Sequence, residues 1–486
     1  MSALSELTPA PLWHYFAQIC AIPHPSRHEA ALIAHLEAFA DAHGLSHQRD
    51  RAGNLIIRKA AAPGLEQAPG IVLQSHLDMV PQKADHSPHN FVADPIQCRV
   101  VDGWVCATDT TLGADNGVGV AAIIAVLADP TLRHGSLEAL LTVNEEAGMD
   151  GAKGLEPGIL SGSLLLNLDS EQEGELYVGC AGGIDATATL TLERQPQPLT
   201  GAIQLTLSGL HGGHSGLDIH LGRGNANRLL AELLQPALVA GDAALLAFEG
   251  GSLRNAIPRR AEALLGTRGD PQAQIAALQR RADTLQQQWA AAEPRLQIQI
   301  QSTSPSASPS ATPLSRDAAT RLLDAILSCP NGVYRMDPAL AGVVETSTNL
   351  ARVVLGESEA EIQCLVRSAR EAARDELCAA IRTTLAPLGA TLALDGAYPG
   401  WTPNPASPLL AAMDALHRQA FGTPAEIKVI HAGLECGILA AAYPHWDMIS
   451  FGPTIRYPHS PSEKVEIASV QRFWDYLRAA LERLAR

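Results

Sequence analysis

Three short apolar runs, each closing on a knot of polar residues, restrict what this chain can fold into. Ile71 to Gln74 leads into Ser75-His76-Leu77-Asp78, Leu137 to Val143 into Asn144-Glu145-Glu146, and Leu164 to Leu168 into Asp169. Apolar runs of this length, without alternation, read as strands buried on both faces of a helix-covered sheet. Asn116 to Leu127 reads as a helix between two of them, with Asp115-Asn116-Gly117 at its start. Upstream, Ser26-Arg27-His28-Glu29 reads as a capping box. Leu32, Ile33, Leu36, Phe39 and Ala40 then recur at helical spacing. Strands alternating with helices point to an α/β layer structure.

The texture changes near residue 187. Thr187 to Leu192 and Ala202 to Ser208 alternate apolar and polar, as half-exposed strands do. Amphipathic helices follow, over Asn225 to Leu234 (stopping before Pro236) and Gln272 to Ala292. Ser302 to Ser315, STSPSASPSATPLS, has the composition of a linker or surface loop. From Pro399 the α/β texture returns, with Ile427 to Ile430, a helix after Gly433, and Met448 to Phe451. The expected organisation is one α/β domain in two parts, 1–186 and 397–486, interrupted by an α+β domain over 187–396.

Composition excludes several classes of function. The chain has 51 Asp+Glu against 35 Lys+Arg, a net charge of −16 over 486 residues. It carries no electrostatic footprint for nucleic acid or an anionic membrane. The longest apolar stretch, Gly117 to Ala128, is too short to span a bilayer. No Lys or Arg precedes Arg27, so the N-terminus does not read as a signal peptide. Eight scattered cysteines form no disulfide framework, which fits a reducing, cytoplasmic setting. Seventeen histidines against those eight cysteines point any metal site toward nitrogen and oxygen ligands.

Ligand sites in open α/β sheets form outside the carboxyl ends of strands, so the polar knots should converge. A buried, unpaired carboxylate is costly, and a divalent metal is the simplest compensation. His76 and Asp78 lie two apart on an extended segment and share a side of it. One can bind metal while the other orients the imidazole. Glu145 and Glu146 are adjacent and cannot point the same way from regular structure. One can ligate while the other takes a proton from water, the division of labour that metal-assisted hydrolysis needs. Asp115 is placed to bridge two ions with its two oxygens. Taken singly, each motif has an ordinary structural reading: a surface His-x-Asp pair, a solvated Glu pair, an Asp-Asn-Gly turn, an Asp N-cap. Their joint order at strand ends is what argues for chemistry.

The segments SHLDMV, LGADNGVGVA, NEEAGMDGA and NLDSEQEGELYVGCAGG resemble the dinuclear zinc aminopeptidase/carboxypeptidase superfamily that includes aminoacylases and carnosinases. HGGHSGLDIHLGRGNAN, SLRNAIPR, ETSTNLA, HAGLECG and FGPTIRYPHSPSE bring the resemblance closer to the bacterial Xaa-His, or cytosol non-specific, dipeptidases. It covers nearly the whole chain. It implies a zinc-peptidase-like catalytic domain, helices on both faces of a mixed sheet, interrupted by an inserted lid domain. It implies two divalent ions, zinc first, with cobalt and manganese also suited. His76 and Asp169 would complete one metal site, Glu146 and His459 the other, with Asp115 bridging. Asp78 would orient His76, and Glu145 would be the general base.

In the inserted domain the resemblance implies that His214 stabilises the developing oxyanion. Asn255 and Arg367 would hold the substrate carboxylate, and Gly433 would let the backbone approach substrate. Glu435 is an alternative partner for a substrate amine. The implied reaction is hydrolysis of small peptides, dipeptides of broad specificity including Xaa-His. A deacylase of N-acyl amino acids on the same metal core is the near alternative, and a non-catalytic metal-binding scaffold the far one. The resemblance also admits a homodimer.

Overall fold

A computed structural model describes residues 4–304 and 312–486. By internal contact these residues form two compact units, one of 1–179, 401–429 and 434–486, the other of 180–400 with 430–433.

The first unit is built on a mixed eight-stranded sheet. Its order is Ser46–Arg49, Leu55–Lys59, Leu137–Thr142, Ile71–His76, Leu164–Asn167, Asp447–Ser450, Glu175–Cys180, Glu426–Ile430. Ile71–His76 runs parallel to both Leu137–Thr142 and Leu164–Asn167. Every residue of the first two of these strands is buried, so both faces of the sheet centre are covered. The unbroken apolar runs in the sequence have this physical origin.

The helix Ala114–Ala128 is buried over almost its whole length and packs on Ile71–His76. Its close approach depends on Gly119. A Cβ there would lie 2.5 Å from Ser75 Oγ and 2.6 Å from the Leu168 carbonyl oxygen. A separate four-stranded sheet joins Cys98–Val101 and Trp104–Ala107 to Lys464–Glu466 and Ile455–Arg456. It ties the end of the chain to its first third.

The second unit is built on a nine-stranded sheet, antiparallel in its pairings. Its central strands include Ala243–Gly250, Val344–Leu355, Glu359–Ser368 and Gly182–Thr191, with Ala390–Tyr398 at one edge. The helices Ala226–Ala240, Pro271–Trp289, Arg316–Ser328 and Glu371–Leu385 supply much of its apolar core. Gly182–Thr191 begins ahead of the textural change at 187, because Gly182-Gly183-Ile184-Asp185 shows no alternation to read.

Three local expectations change. Ser26 to Glu29 is not a capping box: the helix is Ala30–Ala42, and its N-cap has no side-chain hydrogen bond. Ser26 and Glu29 are committed to tertiary partners described below. The helix expected to stop before Pro236 continues to Ala240. Leu233, Leu234 and Leu238 are buried along it, and this packing outweighs the one backbone hydrogen bond that proline removes. The Ser/Pro-rich segment 302–315 lies partly outside the described residues. Its start belongs to the strand Gln297–Thr303, where Ser302 pairs with Ile203, and Ser315 caps the next helix. Among the described residues, no helix is long and apolar enough to cross a membrane, and none of the eight cysteines forms a disulfide.

Candidate active site

Strand ends of the first unit gather most of the candidate ligands. His76 ends its strand, and Asp169 lies just beyond Leu164–Asn167. Glu145 and Glu146 open a four-residue helix after Leu137–Thr142. Asn144 adopts φ +54°, a left-handed turn that takes the chain off the strand axis. Asp115 has φ −85° and ψ 104°, outside the helical region, and so stands ahead of the regular helix. His459 arrives on the loop between Ile455–Arg456 and Lys464–Glu466, with φ +58°.

Five of these groups, Asp115 included, meet at the Asp115 carboxylate. Asp115 Oδ1 lies 3.0 Å from His76 Nε2, which is itself 3.2 Å from Asp169 Oδ1. Asp115 Oδ2 lies 3.2 Å from His459 Nε2, which is 2.9 Å from Glu146 Oε1. Each oxygen of Asp115 therefore faces a different histidine–carboxylate pair. Ligand atoms of His76, Asp115 and Glu146 all lie within 4.8 Å of one another, and the group could hold a metal ion.

His76 Nδ1 lies 3.0 Å from the Asp78 carbonyl oxygen and 3.5 Å from Asp78 Oδ1. Both are acceptors, so Nδ1 of a neutral ring carries the proton and the Nε2 lone pair is turned toward Asp115 and Asp169. Asp169 Oδ1 and Glu146 Oε1 are buried, and each faces one imidazole. Asp115, Glu145, Glu146 and Asp169 bring four carboxylates against two imidazoles. The excess of negative charge, with all donors nitrogen or oxygen, fits a divalent cation.

The carboxyl groups respond to this crowding in different directions. Burial drives Asp169 up to about 6, against the pull of His76. Burial raises Glu145 well above the carboxylate range, against the pull of His76. Asp115 is also buried, but His459 and His76 hold it low. Hydrogen bonds to Asp115 and Glu146 push His459 up to about 11. The Glu145 carboxylate takes no hydrogen bond or ion pair among the described residues, the condition of a group available to exchange protons.

Several supporting contacts had no visible signal in the sequence. Asp78 accepts the Glu145 N–H at Oδ1 (2.9 Å), and the Glu146 N–H (3.2 Å) and Ser26 hydroxyl (2.7 Å) at Oδ2. Glu29 Oε1 accepts the N–H of Asn144 at 2.9 Å. The supposed helix cap therefore braces the turn that aims Glu145 and Glu146. Glu463 accepts four backbone N–H groups, from Leu112 and Gly113 at Oε2 and from Ala114 and Asp115 at Oε1, at 2.8–3.2 Å. It sits in the same segment as His459, but nothing in the spacing revealed the role. Glu435 is buried, and its Oε2 is already taken by Gln74 Nε2 and Thr142 Oγ1, each at 2.7 Å.

The second unit holds the remaining candidates. Gly213–His214 pairs with Ala256–Ile257 as a two-residue ladder. The N–H groups of Gly216 (3.2 Å) and Leu217 (3.0 Å) both donate to His214 Nδ1. Nδ1 is thus an acceptor, and the neutral ring must carry its proton on Nε2 as a donor. Burial and the nearby Arg367 lower the pKa of His214 and keep it neutral. Asn255 is exposed, and its backbone is fixed on both sides. Its carbonyl accepts the Ser215 N–H, and Asn349 Nδ2 donates to the flanking carbonyls of Arg254 and Ala256.

Arg367 is 5% exposed, and its partners are neutral, Tyr398 Oη at 2.8 Å and Ser215 Oγ at 3.3 Å. A buried guanidinium without a counter-ion is a ready anion site. Gly433 is half-buried on the short segment 430–433 of this unit. That segment also carries His431, whose Nε2 lies 2.7 Å from Ser347 Oγ. Sequence reasoning gave His431 no role.

Residues 72–483 match the model of peptidase family M20/M25/M40. The chain belongs to this peptidase family. It is 45% identical to the cytosol non-specific dipeptidase of Escherichia coli (strain K12) over 489 aligned residues, covering 100% of this chain and 99% of that protein. The crystal structure of aminoacylhistidine dipeptidase from Vibrio alginolyticus superposes with a TM-score of 0.91 at 45% identity, covering 99% and 98% of the two chains. Aminopeptidase PepT from Bacillus cereus shares the fold, with a TM-score of 0.63 at 17% identity and 99% and 100% coverage. The α/β zinc-peptidase-like fold expected from the motifs is the fold observed, that of an M20 peptidase.

Proposed function

We propose that this M20 peptidase hydrolyses dipeptides at a dinuclear metal centre, including substrates of the Xaa-His type. The observation that carries the reading is the division of Asp115, one oxygen to each histidine–carboxylate pair. His76 and Asp169 form one ligand set, Glu146 and His459 the other, with Asp115 common to both. Two divalent cations bound there would polarise the peptide carbonyl and acidify the attacking water toward a pKa of about 7. Zinc is the cation we favour, and cobalt and manganese suit the same donors.

The chain's own residues supply the rest of the reaction. Glu145 removes a proton from the water and delivers it to the leaving amine. Its unpartnered carboxylate suits both directions of transfer. Asp78 fixes the His76 ring and, through the Glu145 and Glu146 N–H groups, the turn that carries base and ligand. His214 offers Nε2–H to the oxygen on which negative charge develops. Arg367 and Asn255 receive the substrate carboxylate and so favour substrates ending one residue past the scissile bond. Gly433 leaves room for substrate against the backbone. The relative named as a cytosol dipeptidase and eight cysteines without a disulfide support a cytoplasmic setting.

The test is hydrolysis of a dipeptide panel, β-alanyl-histidine included, beside N-acyl amino acids. Dipeptides should be cleaved in preference. Glu145→Gln should lower their turnover by roughly 10²–10⁴-fold, the scale of general base catalysis, with metal content preserved. Full activity in that variant with metals bound would overturn the mechanism.

A further inference from the structure

One row of the nine-stranded sheet contains an arrangement the reaction has not yet used. Arg367 on Glu359–Ser368 is paired with Gly183, and Gly183 is paired on its other side with Tyr398. Residues paired across strands present their side chains on one face. Strand spacing puts Tyr398 and Arg367 about 10 Å apart at the backbone, with the glycine between them. The phenol crosses that gap and accepts a hydrogen bond from Arg367 Nη1 at 2.8 Å.

Gly183 makes the crossing possible. A Cβ at this position would lie 2.5 Å from Tyr398 Oη and 2.6 Å from its Cζ. The second glycine of the CAGG segment is therefore the bed on which the tyrosine ring lies. The position demands no special backbone angle, because Gly183 is not among the glycines with positive φ.

The proton inventory at Tyr398 is incomplete. Its oxygen accepts from Arg367, so its own O–H must find another acceptor, and among the described residues none is bonded to it. Burial raises the phenol's pKa and keeps that proton in place. Among the described residues no carboxylate forms an ion pair with Arg367, and Asp185 on the same strand as Gly183 is engaged with Arg254 at 3.2 Å. A guanidinium and a phenolic O–H are thus held side by side with donor capacity to spare. One carboxylate, with an oxygen for each, would satisfy both.

We infer that Tyr398 is a further carboxylate-binding residue of the peptidase, seated by Gly183 and donating its hydroxyl to the substrate carboxylate that Arg367 and Asn255 receive. This rests on the reading of Arg367 given above. It makes Tyr398 a determinant of the preference for a free C-terminal carboxylate over a blocked one.

The experiment compares a dipeptide with its C-terminal carboxamide, by kcat/KM, in wild type, Tyr398→Phe, Gly183→Ala and Arg367→Met, with thermal melts to confirm folding. Tyr398→Phe removes one hydrogen bond to a charged group. The acid-to-amide ratio of kcat/KM should fall roughly 10- to 100-fold, mainly through KM for the acid. Gly183→Ala keeps the hydroxyl but pushes the ring aside, and should lower the ratio in the same direction. If Tyr398→Phe keeps the wild-type ratio while Arg367→Met loses it, Tyr398 is not a carboxylate ligand and the Arg367 reading stands. Should Arg367→Met also keep the ratio, the Arg367 reading falls and this inference with it. Equal losses on acid and amide in Tyr398→Phe would mark a structural role and overturn the inference.

Discussion

Replacing Glu463 by glutamine is the most direct way to ask whether backbone scaffolding, and not the ligands alone, makes the metal centre. The glutamate accepts four N–H groups from Leu112 to Asp115 and is 2% exposed. Burial and the nearby Asp115 push its carboxyl up to about 7, while the N–H groups pull it down. The geometry favours the ionised form: all four partners are donors, and a protonated carboxyl would have no acceptor for its hydrogen. In Glu463→Gln, the amide oxygen can keep one pair of N–H groups, but the amide NH₂ must face the other. Two buried N–H groups lose their acceptor, at roughly 1–3 kcal/mol each, so about 2–6 kcal/mol together.

The loss falls on the strap that carries Asp115, whose own N–H is one of the four. Metal affinity should therefore fall as well, by roughly 10- to 100-fold, as when a group that orients a ligand is removed. Urea denaturation of the metal-free protein reads the first effect as a lower midpoint. Competition with a chromophoric chelator reads the second. If Glu463→Gln matches wild type in both midpoint and metal affinity, the Glu463 cradle does not hold the bridging ligand in place.

Two further outcomes follow from the packing and charge of the first unit. A strong chelator should abolish dipeptide hydrolysis, and zinc, cobalt or manganese should restore it. Activity regained with fewer than two ions per chain by metal analysis would contradict the shared role of Asp115. Gly119→Ala places a methyl within 2.5 Å of Ser75 Oγ and 2.6 Å of the Leu168 carbonyl. Overpacking of this kind should cost roughly 1–3 kcal/mol in denaturation experiments, and an unchanged midpoint would show that the helix can withdraw from the sheet.

The two kinds of site residue differ in how visible they were. His76, Glu145, Glu146 and Asp169 each stand at the end of a strongly apolar strand, so their convergence follows from strand direction, and Asp115 joins them at the start of the helix that packs on Ile71–His76. His459 was not legible this way. It sits on a loop of no pattern, brought in by a strand that pairs with Trp104–Ala107 from the far end of the chain. Arg367 could be placed on a strand but not beside Tyr398, because antiparallel register across three strands is set by the whole sheet.

The sequence by itself determined the alternation of buried strands and helices, the excess of acids near strand ends, and the motifs of an M20 peptidase. Those properties are local: a few consecutive residues carry each of them. Tertiary structure decided what the neighbours do. It turned Ser26 and Glu29 from a helix cap into braces for Asp78 and Asn144, and divided the two oxygens of Asp115 between separate histidines. It also set Glu463 under four amides and laid Tyr398 over Gly183. The physical reason is the same in each case. A polar side chain can satisfy its hydrogen bonds with any suitable partner, and only the packed chain determines which partner is within reach.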